Sequence, residues 1–299
     1  MKKEMTQIKA DLILLVVATF WGSGYVVTKV AMEITTPIQF STYRFTIAAI
    51  LAIVFFYKKL RNAEKGDWVA GILMGFFLTI SMLFQTIGLK YTGAGKGVFI
   101  ASAFVIMVPF FYWIIGKVKP KLKIINAAVL MLIGLAIMSF DTSGLGGLNK
   151  GDLYMLASAV TFAIHTTIIG IYAPKRDPFL LSGIQFITSS ILFLLMTPFD
   201  AGRGPITPEV IGPVVFSGIV VTFLCFLGQV YCQKYTSPSQ AAIIINLETI
   251  MGSIIAVIFL HESYDAKMIL SFAIIFASVM VAEVSWKELI ETVRVKFKS

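Results

Sequence analysis

The chain has 299 residues, 58% of them hydrophobic and 14% charged, with a mean hydropathy of +0.87. So few charges cannot cover a soluble domain of this length, and apolar runs that recur from end to end describe a membrane-embedded body rather than a soluble one on a single anchor. The net charge of +9 sits in short loops and tails between those runs. That is the pattern of a cytoplasmic membrane face, so no nucleic-acid partner is expected.

Taken in chain order, ten apolar runs stand out, at about 11–31, 37–57, 68–89, 95–116, 122–140, 152–172, 178–198, 210–233, 239–260 and 265–285. Each is close to the roughly 20 residues that carry a helix across about 30 Å of hydrocarbon. None shows the alternation of a membrane barrel strand, so all ten are predicted to be helices. The first run, Leu12 to Val30, is not followed by a small-residue cleavage site, so no cleaved signal is expected. Cys225 and Cys232 lie seven residues apart on one apolar run. A regular helix keeps them too far apart to bridge, so they are read as small core residues. Two histidines and two cysteines make no plausible metal set, and no cofactor is expected.

The chain contains the stretch from Gln85 to Gly116 twice. Adding 144 leads without a gap to Gln229 through Leu260, pairing Gln85 with Gln229 and Lys90-Tyr91-Thr92 with Lys234-Tyr235-Thr236. The preceding helices align at an offset of 141, pairing Asp11 with Asp152, Pro37 with Pro178, Ser41 with Ser182 and Phe45 with Phe186. The expected fold is therefore all-α and integral to the membrane. Its ten transmembrane helices form two five-helix repeats, 1–145 and 146–286, followed by a basic tail, 287–299. An odd number of helices per repeat inverts the second relative to the first.

The 25 Lys and Arg set the orientation. With the N-terminus inside, only Lys29, Lys90, Lys96, Lys150, Arg203 and Lys267 fall in outer segments, and Arg44 lies within a span. Both termini are expected in the cytoplasm. The tail from Trp286 to Ser299 is basic and amphipathic, suited to the anionic inner leaflet.

Four motifs in order carry a family resemblance: ATFWGSGYVVTKVA from Ala18, GLKYTGAG ending the third helix, GDLYMLASAVTFA opening the sixth, and AAIIINLETIMGSIIAVIFLHE in the ninth. Together they resemble the EamA-type members of the drug/metabolite transporter superfamily, over about residues 11 to 285. The resemblance implies a central cavity walled by helices one, three, four, six, eight and nine. It also implies alternating access, peripheral fifth and tenth helices, and a monomer or homodimer. Leu247-Glu248 and Glu262 match family positions, whereas Thr249 stands where the family usually carries proline, which leaves a kink there in question.

Several polar and aromatic residues fall inside spans. Glu248 is near the middle of the ninth helix, where a charge costs about 2.5–3.5 kcal/mol on insertion scales, so it must face protein or water. A proton-coupling or cation-binding role is weighed against a structural hydrogen bond. His165, mid-way along the sixth helix at similar depth, suits coupling or substrate contact and is considered as a proton partner for Glu248. Gln85 and Gln229 are expected one near each mouth of the cavity. Trp21 and Tyr25, one turn apart near the midplane, suit a cation or a flat organic solute. Ser102 and Asn246 complete the substrate-binding candidates, while Arg44 is read as structural. Gly71 and Gly75 let helices approach closely, and Gly93, Gly95 and Gly97 relax the turn before the fourth helix.

The predicted function is a secondary transporter of a small polar or amphipathic metabolite, amino acids and related compounds included, with export favoured by the resemblance. It would sit in the cell membrane with the lipid bilayer as its surroundings. No nucleotide-binding loop is present, so ATP hydrolysis is not the chain's own drive. An enzyme would need paired carboxylates or a His/Asp cluster at a membrane face, and the sequence has neither. A lipid flippase and a non-transporting receptor or assembly protein remain as alternatives.

Overall fold

The computed structural model describes residues 6–117, 119, 122–139, 149–204 and 206–283. The expected boundary at 145/146 and the basic tail 287–299 lie outside these residues. Among the described residues the long helices are α1 (Gln7–Ala31), α2 (Pro37–Arg61), α3 (Lys65–Tyr91), α4 (Ala94–Gly116), α5 (Leu122–Ser139), α6 (Lys150–Tyr172), α7 (Pro178–Met196), α8 (Pro208–Cys232), α9 (Pro238–Leu260) and α10 (Ala266–Glu283). No strand occurs among the described residues. Eight of the helices are long and apolar enough to cross a membrane. The other two, α5 and α10, have 18 residues each, near the lower limit for a span.

Local chemistry sets the helix starts. Proline occupies the first turn of α2, α7, α8 and α9, where its missing N–H costs nothing. Thr36, Asp177 and Ser237 accept backbone N–H groups at the N-termini of α2, α7 and α9. Asn149 with Asp152 forms a reciprocal capping box at α6.

The packing repeats with the sequence. α3 lies along α6 as α8 lies along α1, and α4 meets α6 as α9 meets α1. The pairs α2–α7 and α5–α10 are each their own image when the halves are exchanged. The first part of α4 touches the second part of α9, and the reverse, so these helices run antiparallel, as inverted repeats require. Matching joints hold both halves: Asp11 accepts from Thr236 (3.0 Å) and Gln240 (3.1 Å), while Asp152 accepts from Thr92 (2.7 Å) and pairs with Lys96 (2.7 Å). Glycines allow the tightest crossings. A Cβ on Gly71 would lie 2.5 Å from Ile184, and one on Gly75 would lie 2.6 Å from Thr188, so α3 and α7 meet almost backbone to backbone.

Two breaks matter for the site. α4 is interrupted at Ser102–Ala103 and α9 at Asn246–Leu247, 144 residues further on. At both, the hydrogen bonds tighten to three-residue spacing, as in Ala103 N to Ile100 O and Leu247 N to Ile244 O. The interruption of the ninth helix precedes Thr249, and the helix runs on from Glu248 to Leu260 through that residue. α4 carries Pro109, whose repeat mate is Ser253, so proline is not the common cause. Both helices also end alike, at Lys117 (φ 60°) and His261 (φ 52°), again 144 apart. Val54, Phe55, Ile258 and Phe259 point outward, where hydrocarbon would cover them.

Candidate functional site

A cavity lies between α1, α2, α3, α4, α6, α8 and α9. It is narrow, with a volume of about 30 Å³. Its floor is aromatic. Trp21 meets Phe162 edge-on at 5.8 Å and Phe226 at 4.8 Å, and Phe104 meets Phe162 at 5.0 Å. The indole Nε1 of Trp21 donates to the carbonyl of Val221 at 2.9 Å. Val221 lies in the π-helical stretch Ser217–Leu224 of α8, where the wider turn presents backbone that a regular helix would keep to itself.

Glu248 begins the second part of α9, just past the break. Its position follows from Gly22. A Cβ on Gly22 would lie 2.9 Å from the Glu248 carbonyl and 2.8 Å from Gly252 N, so α1 and α9 cross in backbone contact. That contact brings Tyr25, one turn along α1, to the carboxylate, where its hydroxyl donates to Glu248 Oε1 at 3.5 Å. Arg44 enters from α2. Its Nε donates to Thr222 Oγ1 at 2.8 Å, and its guanidinium carbon lies 5.8 Å and 5.4 Å from the centres of the Phe40 and Phe45 rings. Both Arg44 and Glu248 border the cavity, and neither has an ion-pair partner among the described residues.

Above the cavity, the turn between α3 and α4 is held from three directions. Lys29 of α1 donates to the carbonyls of Leu89 and Thr92, both at 2.9 Å. Asp152 of α6 holds Thr92 and Lys96. Glu262, beyond α9, accepts from Ala94 N (2.6 Å) and Gly95 N (3.1 Å), capping α4 from the other half of the chain. Tyr264 also donates to Glu262, at 3.2 Å. Burial and the neighbouring Glu262 carboxylate push the Tyr264 phenol above its ordinary pKa. The reading of Gly93 and Gly95 as relaxing the turn is corrected by this geometry. Gly93 has φ −67°, open to any residue, and these glycines instead leave room for the carboxylate and for Tyr264.

Of the expected site residues, the structure brings together Trp21, Tyr25, Gln85 and Glu248. Ser102 and Asn246 sit at the two helix breaks instead. Ser102 donates to Phe99 O at 2.6 Å, and Asn246 accepts from Thr249 at 3.2 Å. His165 does not reach Glu248, so the idea of a shared proton is corrected. The His165 ring packs against Phe162 (5.6 Å) and Phe226 (6.0 Å), which border the cavity, and its Nε2 bonds Gln185 Oε1 at 3.1 Å. Gln229 is fully buried with neither side-chain polar atom bonded. Cys225 and Cys232 are free and buried, as expected of core residues. No group of three His, Cys, Asp or Glu among the described residues could hold a metal.

Sequence reasoning missed Phe104, Phe162 and Phe226 and assigned Arg44 to structure alone. The repeat held the signal: Phe162 is the mate of Trp21, Phe104 of Glu248, and Phe226 of Met82, which also borders the cavity. The cavity thus contains both members of each of these pairs. Further up, the cavity takes one member only. Tyr25, Arg44 and Gln85 line it, whereas their mates Thr166, Gln185 and Gln229 are buried away from it. Each of those mates carries at least one polar side-chain atom with no hydrogen-bond partner.

The sequence profile of the EamA-like transporter family matches residues 8–140 and, separately, 149–283. The chain belongs to the EamA-like transporter family. Among EamA relatives, an uncharacterized transporter of Archaeoglobus fulgidus is 30% identical over 281 residues, covering 91% of this chain and 86% of that protein. The uncharacterized transporter YwfM of Bacillus subtilis is 25% identical, covering 91% and 92%. A chloroplastic WAT1-related protein of Arabidopsis thaliana is 21% identical, covering 87% and 66%. A solved crystal structure superposes with a TM-score of 0.68 at 17% identity, over 91% of this chain and 96% of the other, and shows the fold alone. This EamA chain is therefore a multi-pass membrane transporter and not an enzyme.

Proposed function

We propose that the chain is a secondary carrier that binds one small polar or amphipathic metabolite in the cavity and passes it across the cell membrane by alternating access, in the direction of export. The observation that carries this reading is the one-sided use of repeat mates. A cavity that includes Tyr25, Arg44 and Gln85 but leaves out Thr166, Gln185 and Gln229 suits one state of a two-state carrier. The buried mates, with unfilled hydrogen-bonding atoms, suit the wall of the opposite opening. With both termini in the cytoplasm, the present cavity leans outward and the buried set faces the cytoplasm. Residues 1–145 and 146–286 are then the two moving units.

The test is counterflow. Purified full-length protein is reconstituted into liposomes preloaded with unlabelled amino acids, nucleosides or hexoses, and uptake of the matching labelled solute is followed. Exchange above protein-free liposomes is expected for at least one class. Binding without counterflow would instead support a receptor.

A further inference from the structure

We propose that the cavity selects a solute carrying both charges, a zwitterion, with Arg44 taking its carboxylate and Glu248 its ammonium group. The proposal rests on the carrier reading and adds the chemical class of the substrate. Arg44 and Glu248 are buried in the middle of a membrane protein, border one cavity, and have no ion partner among the described residues. A guanidinium stays charged in proteins, and removing an unpaired charge from water is costly. Arg44 and Glu248 could pair with each other, yet they form no ion pair. Thr222 holds Arg44 through Nε, and Tyr25 holds Glu248 through Oε1.

The remaining donors and acceptors point the same way. Arg44 Nη1 and Nη2 make no hydrogen bond to described residues, and neither does Glu248 Oε2. A guanidinium edge with free N–H groups matches the two oxygens of a carboxylate. A free carboxylate oxygen accepts from an ammonium. The floor of Trp21, Phe104, Phe162 and Phe226 offers apolar surface to whatever side chain the solute carries. A solute without a carboxylate would leave the guanidinium unanswered, and one without an ammonium would leave the Glu248 carboxyl to a proton. The arrangement is also one-sided: the repeat mate of Arg44 is Gln185 and that of Glu248 is Phe104. When the cavity opens the other way, the carboxylate meets an amide in place of the guanidinium, which favours release.

The test uses purified full-length protein and three matched ligand series. L-leucine, L-methionine and L-phenylalanine are each compared with their methyl ester, which keeps only the positive charge, and their N-acetyl derivative, which keeps only the negative one. Affinity is read by thermal shift and displacement. At least one parent is expected to bind, with both derivatives at least tenfold weaker. Arg44→Gln should remove the penalty on the ester, and Glu248→Gln the penalty on the N-acetyl form. Should either variant fail to fold, the wild-type series decides alone. A derivative that matches its parent in the wild type overturns the proposal. So does counterflow of an uncharged or singly charged solute with no amino acid binding, and that result leaves the carrier reading standing. Amino acid binding without counterflow does the reverse. A zwitterionic lipid headgroup presents the same charges, so monomeric dihexanoylphosphatidylcholine is included. Its binding without that of any amino acid overturns the free-metabolite form.

Discussion

Gln85 and Gln229 occupy the same place in the two halves, 144 residues apart, yet their surroundings are opposite. Gln85 borders the cavity, while Gln229 is fully buried with both Oε1 and Nε2 unbonded. A buried amide without partners costs roughly 1–3 kcal/mol per unmade hydrogen bond, which the opposite opening would recover through water or solute. Gln229→Leu, of similar volume, is therefore expected to stabilise this state by about 1–3 kcal/mol and to slow transport. Thermal unfolding together with counterflow measures both. A higher melting temperature with unaltered transport would refute the assignment of Gln229 to the second opening.

The same contrast predicts chemical reactivity. In a background lacking Cys225 and Cys232, Gln85→Cys should react with a small thiosulfonate reagent in this state, and Gln229→Cys should be protected. Arg203→Cys, at an exposed position, tests the proposed orientation. It should be labelled by an impermeant maleimide from outside intact cells, and labelling only after permeabilisation would reverse the topology.

Much of this was legible in the sequence because the repeat is strong. It placed all ten helices, paired Asp11 with Asp152, and marked Gln85 and Gln229 as mates. Reading each candidate singly was weaker. Glu248 stood out because a charge in hydrocarbon is rare, but Phe104 and Phe162 looked like ordinary core until paired with Glu248 and Trp21. Hydropathy carries no trace of the π-helical turn at Ser217–Leu224, which accepts hydrogen bonds from Trp21 and Arg44 across the bundle. Nor could it separate His165 from Glu248, since depth along a helix does not say which face a residue occupies. The glycines near α4 were legible as glycines, but their reason, a carboxylate arriving from beyond α9, lay 168 residues away.

The crossing of α1 and α9 gives a packing prediction. Gly22→Ala puts a methyl group within 2.8–2.9 Å of the backbone at Glu248 and Gly252, and backbone cannot rotate aside. The helices must separate, at a cost of about 1–3 kcal/mol. Displacing Glu248 from Tyr25 should also weaken substrate binding. Gly212→Ala, with open space around it, serves as the neutral control.

The Glu262 cap is expected to be worth about 0.5–2 kcal/mol, the range of helix N-caps. Glu262→Ala should lose it, while Glu262→Gln should lose less, since an amide oxygen still accepts one N–H. Gly95→Ala places a methyl group 1.8 Å from the Tyr264 hydroxyl and should disturb the same turn. Thermal melts of the three variants rank the contributions, and a Glu262→Ala melt equal to that of the wild type would deny the carboxylate any capping role.

Asp177 gives a pH prediction at the opposite end of the bundle. Partial burial works against its charge, but the hydrogen bond from Lys59 and the N–H groups of Leu180 and Phe179 outweigh it and hold its pKa below the ordinary value. A lowered native pKa contributes stability above the unfolded value, near pH 4, and that stability is lost as pH falls through the native value. Asp177→Asn retains a capping side chain but removes the titration. Its melting temperature should fall less steeply than that of the wild type on acidification below about pH 4. Parallel curves would show that the Lys59 contact is too exposed to contribute.

The last prediction concerns how substrate movement is driven. We hypothesise that Glu248 carries either a proton or the ammonium of the solute, never both, which would make the chain an antiporter. The motive is the geometry: one buried carboxylate, one hydroxyl partner, and an open cavity in front of it. Few other groups can contribute. Tyr25 faces it from α1, Arg44 borders the cavity from α2, and Cys225 lies near it on α8, while the cavity residues of α3, α4 and α6 carry no titratable group. Arg stays charged, and Tyr and Cys ordinarily ionise only at alkaline pH, so a dependence between about pH 5 and 8 would belong to Glu248. His165 is held behind Phe162 and Phe226. Apparent affinity for L-leucine should weaken as pH falls, because the proton competes for the carboxylate. In Glu248→Gln, affinity should be lower at neutral pH and flat across the range. Accumulation driven by a pH gradient should vanish in that variant, while exchange at equal pH persists. A purely structural Glu248 would leave gradient-driven transport intact in the Gln variant, because the amide still bonds Tyr25. A site for ammonium without proton competition would lower affinity in the variant, yet the wild type would show no pH slope. A slope that survives in Glu248→Gln would move the proton to His165, and His165→Gln would then be expected to abolish it.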